Sequence, residues 1–202
     1  MKSMLVKNLV TLGLAAISLA VIMPAAMAGD AVAGKALVTA CGACHGADGN
    51  SQAPTFPKLA GQGEKYLIKQ LEDIKAGEIQ DTKYPTPRIV PEMAGQLANL
   101  SKVDFENIAA YFASQTHTLS GSKDDKELLA LGETIFRAGN KEVGVPACIG
   151  CHSPTGAGNA PAGFPQLSGQ HADYIIKQLK DFRTGAEYTG KGRSNDGDIR
   201  IM

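Results

Sequence analysis

The sequence predicts an all-α protein built from two tandem copies of one small domain, each a few helices joined by long loops. Apolar residues recur at helical spacing in several windows, and the alternating β-branched runs that mark strands are missing. Segments of the first half return in the second at a constant offset of 108 residues: 57–62 (PKLAGQ) matches 165–170 (PQLSGQ), 66–71 (YLIKQL) matches 174–179 (YIIKQL), and Gly77 matches Gly185. Each half also carries one Cys-x-x-Cys-His run, from Cys41 to His45 and from Cys148 to His152.

The chain opens on a segment that is not part of this fold. Lys2 and Lys7 precede an apolar run from Leu9 to Met23, and Ala26-Met27-Ala28 fits a small-x-small cleavage site. Residues 1–28 therefore read as an export signal cut after Ala28, and the run is short for a membrane span. In the first domain, 29–118, Asp30 caps a short helix leading to Cys41. Leu67, Leu71 and Ile74 line one helix face before Gly77 stops it. Ser101 to Asp104 reads as a capping box, with Phe105, Ile108, Ala109 and Phe112 on the face that follows. A polar linker, 117–125, joins the copies. In the second domain, 119–202, Asp125 precedes a helix aligning Leu128, Leu131 and Ile135 and ending near Gly139.

The Cys-x-x-Cys-His spacing is the attachment signature of a c-type haem. Two thiols one helical turn apart add to the two vinyl groups of a porphyrin, and the adjacent His is held as the proximal iron ligand. Two covalently bound haem c groups follow, on Cys41 and Cys44 with His45, and on Cys148 and Cys151 with His152. Two disulfides would suit an exported chain, yet they explain neither the x-x spacing nor the two His. A four-thiolate zinc site would want its pairs within about 20 residues, whereas Cys44 and Cys148 are 104 apart. After Ala28 the only methionines are Met93 and Met202, which follow the first Cys of their halves by 52 and 54 residues. Their matched placing makes them the sixth ligands, a soft thioether opposite each imidazole. Pro54 and Pro161, nine residues beyond each His, offer carbonyls that would hold the Nδ1–H of His45 and His152. His117 and His171 match nothing in the other half and read as exposed loop residues, and Lys69 and Lys177 as solvated helix faces. Removal of Lys2 and Lys7 leaves 18 basic against 20 acidic residues, a net of −2, which excludes a nucleic-acid surface.

With these residues the chain resembles the di-haem cytochrome c4 family, two class I cytochrome c domains in tandem, over essentially all of 29–202. The resemblance implies two helical domains around covalent haems, ligated by His45 with Met93 and by His152 with Met202. It implies haem edges that meet near the domain interface and a periplasmic carrier passing electrons towards a membrane terminal oxidase. It places Gly34 and Gly132 where an N-terminal helix crosses a closing helix, with Tyr111 and Phe112 as partners in the first half. One departure stands out: the second half has no counterpart of the helix around 105–112, so the 202-residue chain reads as a fragment. Filled axial positions point to a carrier and not an enzyme. The rivals are an electron-accepting subunit docked on a dehydrogenase, such as a flavoprotein oxidising sulfide, and a di-haem peroxidase with one open iron.

Overall fold

Asp30, Ser101 and Asp125 begin three of the seven α-helices among the described residues, as their side chains predict. The computed structural model describes residues 29–81, 83–187, 192–196 and 202, and the expected export segment and its cleavage point lie outside them. Asp30 Oδ1 accepts from the amides of Val32 and Ala33 and opens α1 (Ala31–Leu37). The first Cys-x-x-Cys-His run forms the single turn α2 (Gly42–His45). Then come α3 (Glu64–Glu78), a 3₁₀ turn over Pro91–Met93, and α4 (Lys102–Ala113). The second half repeats the plan with α5 (Lys126–Ala138), a 3₁₀ turn over Lys141–Val143, α6 (Ile149–His152) and α7 (Ala172–Glu187). Among the described residues there is no strand, only two isolated bridges, Asn140 with Val145 and Asn159 with Phe164. No described helix is long and apolar enough to cross a membrane.

The first half closes on a core where α4 meets α1 and α3. Val38, Leu67, Ile108, Tyr111 and Phe112 bury together, and Ile74, Leu97 and Phe105 form a second cluster beside them. Burying a side chain such as Phe112, 1% exposed, contributes roughly 1.5–3 kcal/mol. Gly34 lets α1 lie directly on α4: a Cβ there would overlap the Asn107 carbonyl and stand 2.9 Å from Tyr111 Cβ. Gly132, its counterpart on α5, has nothing within 4 Å, so the crossing expected for it does not occur among the described residues. Leu128 and Leu131, the stripe expected to face a core, are accordingly 64% and 55% exposed.

The capping box at α4 is complete. Ser101 Oγ accepts from the Asp104 amide at 3.2 Å, and Asp104 Oδ2 accepts from the Ser101 amide at 2.7 Å. These bonds hold the Asp104 carboxyl below its usual range. The folded chain therefore binds that proton more weakly than the unfolded one. The cap's contribution is present above the ordinary carboxylate pKa and is lost as pH falls through the lower folded value. Ser101→Ala is expected to cost about 1 kcal/mol, read as a lowered denaturation midpoint with an unchanged denaturant slope.

The halves join through a reciprocal clamp. Gln62 donates to the Gln166 carbonyl at 2.8 Å and accepts from the Gln166 amide at 3.0 Å. Gln170 treats Lys58 identically, donating to its carbonyl at 2.9 Å and accepting from its amide at 2.9 Å. Gln170 is Gln62 moved on by 108 residues, and Gln166 is Lys58 moved on by the same step. The contact is thus isologous, as in a two-fold dimer. The two unmatched histidines belong to this junction and are not exposed loop residues. His171 is 9% exposed, with Nε2 2.9 Å from the Ser51 carbonyl and Nδ1 3.0 Å from Ser120 Oγ. His117 is half-buried, with Nδ1 3.0 Å from the Ala60 carbonyl.

Candidate haem sites

The single turns α2 and α6 present the two thiols of each run and then bury the His: His45 is 7% and His152 4% exposed. All four cysteines are free thiols, so no disulfide competes for them. Burial pushes the thiols of Cys41 and Cys148 above their ordinary range. Among the described residues, no three of His, Cys, Asp and Glu converge as a shared metal site would need.

Each imidazole is oriented by a carbonyl, but not by the proline expected. His45 Nδ1 lies 2.9 Å from the Pro57 carbonyl, and His152 Nδ1 lies 2.9 Å from the Pro165 carbonyl. Pro54 and Pro161 do not fill this role: both are exposed, and the Pro161 carbonyl takes Lys65 Nζ at 3.3 Å. With Nδ1–H donating to a carbonyl, Nε2 is left as the free lone pair. Burial lowers the His45 pKa, partly opposed by the Pro57 bond, and so favours the neutral ring that iron requires. A phenyl ring stands edge-on to each imidazole, Phe56 to His45 at 6.3 Å and Phe164 to His152 at 6.1 Å between centroids.

One continuous cavity of about 1780 Å³ reaches all four cysteines, both His and both Met. That is well beyond the roughly 300–1,000 Å³ that holds a single small ligand, and its lining is mostly apolar, with Leu67, Leu71, Ile74 and Phe112 from the first half and Ile135, Ile175 and Phe182 from the second. Met93 enters from the 3₁₀ turn Pro91–Met93 and packs on the Ile74, Leu97 and Phe105 cluster. Met202 lines the same cavity, is 49% exposed, and its amide donates to Asp196 Oδ2 at 2.9 Å. Paired thiols, a buried imidazole and a thioether around an apolar space fit a porphyrin in each half.

Between the halves lies a polar wall built outside the Cys-x-x-Cys-His runs. Gln70 Oε1 accepts from Arg88 Nη1 at 2.8 Å and from Arg193 Nη2 at 3.0 Å; Gln178 Oε1 accepts from Arg193 Nη1 at 2.6 Å and from Arg88 Nη2 at 2.9 Å. Asp73, fully buried, takes Asn195 from the other half and also Tyr84, Thr86 and Lys69. Lys69 is therefore an anchored partner and not merely a solvated face. The signal for Gln70 and Gln178 was present, since both sit inside the matched segments.

The cytochrome c family model matches residues 31–116 and again 129–201. The chain is similar to cytochrome c4 of Azotobacter vinelandii, 56% identical over 80% of this chain and 73% of that protein. It is similar in structure to reduced recombinant cytochrome c4 from Pseudomonas stutzeri, with a TM-score of 0.77 and 55% identity over 86% of this chain and 87% of that one. A more distant relative is a thiosulfate dehydrogenase electron acceptor of Stutzerimonas stutzeri strain A1501, 34% identical over 78% of this chain and 68% of that protein.

Proposed function

The chain belongs to the cytochrome c family, and within it to the di-haem cytochromes c4, and on that premise we propose that it works in the periplasm, passing single electrons from a respiratory-chain donor towards a terminal oxidase. It is an electron carrier and not an enzyme, with haem attached at Cys41 and Cys44 and at Cys148 and Cys151. When bound, each haem supplies a one-electron iron couple. His45 and Met93 would hold one iron, and His152 and Met202 the other. The domains run 29–118 and 119–202, with 1–28 removed on export.

One observation supports the ligand set above the rest: in both halves a carbonyl takes the Nδ1–H of the buried His, leaving Nε2 free in a cavity that also contains a methionine. With His and Met as its protein ligands, each haem would have a raised potential and would offer little access to peroxide. The reduced holoprotein is expected to be reoxidised by oxidase-containing membranes under oxygen, with negligible peroxide turnover. Rapid peroxide turnover, or indifference to those membranes, would overturn the carrier reading. The likeness to a dehydrogenase's electron acceptor supports a second reading, an acceptor docked on a dehydrogenase. Gel filtration of a native extract separates the two, since a docked subunit elutes with its larger partner.

A further inference from the structure

The clamp between the halves and the two proximal imidazoles share peptide groups. The Pro57 carbonyl that accepts from His45 Nδ1 and the Lys58 amide that donates to Gln170 Oε1 are the two ends of one peptide unit. The Pro165 carbonyl that accepts from His152 Nδ1 and the Gln166 amide that donates to Gln62 Oε1 are likewise one unit. Among the described residues no peptide is cis, so each C=O and N–H point in opposite directions and the two hydrogen bonds lie in series. A chain thus leads from each imidazole, through one peptide, to a glutamine of the other half.

We propose that Gln62 and Gln170 are positioning residues that tune the reduction potential of the haem in the opposite half. Hydrogen bonds in series polarise one another, by about 10–30% per bond. A glutamine oxygen drawing on the amide proton makes the carbonyl at the other end a stronger acceptor. A stronger acceptor at Nδ1–H makes the imidazole a more electron-rich ligand, which favours ferric iron and lowers the potential. Each glutamine also donates to the carbonyl of the residue it clamps, which fixes the oxygen in place. Gln170 Oε1 additionally accepts from the His171 amide at 3.1 Å.

Burial separates this coupling from an ordinary surface contact. Gln62 is 3%, Gln170 8% and Lys58 4% exposed, so water cannot readily replace an acceptor that is removed. The arrangement is crossed: the first half carries the residue that acts on the second iron, and the second half the residue that acts on the first. Domain association and redox poise are thereby one property of this interface.

The inference rests on His45 and His152 being the proximal ligands, which is checked separately by the spectrum of His45→Ala. The test is a haem-resolved redox titration of the holoprotein with Gln62→Met and Gln170→Met, near-isosteric changes that delete the acceptor. Gln170→Met is expected to raise the potential of the haem on His45 alone, and Gln62→Met that of the haem on His152 alone. The expected change in each reduction equilibrium is about threefold, ~30 mV at 59 mV per tenfold for one electron. In the reduced, diamagnetic protein, the Nδ1–H proton resonance of the distant His is expected to move while that of the near His stays. A shift at the near haem, equal shifts at both haems, or a lowered melting temperature with both potentials unchanged would each overturn the relay.

Discussion

Gly34→Val is expected to destabilise the 202-residue holoprotein by at least about 3 kcal/mol, while Gly132→Ala leaves it unchanged or up to about 1 kcal/mol more stable. Both glycines sit inside helices, where either should gain from a side chain on propensity alone. Geometry decides between them. At Gly34 a Cβ overlaps the Asn107 carbonyl and stands 2.9 Å from Tyr111 Cβ, and the obstruction is mostly backbone that cannot rotate away. Relief would require α1 to lift off α4 and expose Val38 and Ile108, which are 4% and 2% exposed. Three kcal/mol is a large share of the 5–15 kcal/mol that holds a typical domain together. At Gly132 nothing lies within 4 Å. Denaturant titrations of the two variants against the parent decide the matter. A Gly34→Val protein with the parent's midpoint would show that the α1–α4 crossing is not the tight contact described.

What could be read from the sequence was what covalent chemistry or a single helical turn dictates. The Cys-x-x-Cys-His runs, the Asp30 and Asp125 caps and the Ser101 box all depend on residues within a few positions of one another, so their geometry is local. The carbonyl acceptors were missed for a reason of register. Counting nine residues from each His lands on Pro54 and Pro161, but the loop turns through Gly46 and Gly49, with φ of 81° and 80°, and returns a later peptide to the ring. Pro57 and Pro165 are themselves a pair at the 108-residue offset, whereas Pro54 and Pro161 are 107 apart. His45 and His152 are themselves 107 apart, so the register of the attachment runs pointed to Pro54 and Pro161, and only the 108-residue register of the later segments pointed to Pro57 and Pro165. Gln62, Gln170, His171 and Lys58 were opaque for a different reason. A polar side chain is ordinarily exposed, and their burial exists only once two halves have docked.

Replacing Cys148 and Cys151 by serine is expected to leave one covalent haem and to unfold much of the second half, whereas the same change at Cys41 and Cys44 leaves the α1–α4 contact partly intact. The asymmetry follows from where protein-only packing lies. In the first half Val38, Leu67, Ile108 and Phe112 bury against one another, so some apolar area stays covered without a porphyrin. In the second half Phe182 is the only large hydrophobic among the described residues that is less than 9% exposed, and Leu128, Leu131 and Leu179 are 64%, 55% and 53% exposed. With so little apolar area covered among the described residues of this half, the binding of its prosthetic group supplies much of its folding energy, as in small metal-held domains. Haem mass and hydrogen exchange on the two double variants provide the readout. The Cys148/Cys151 variant is expected to lose protection across α5, α6 and α7 together. In the Cys41/Cys44 variant, amides of α4 facing Val38 should keep measurable protection. Equal loss in the two variants would mean that the haem, not the α1–α4 crossing, holds both halves to the same degree.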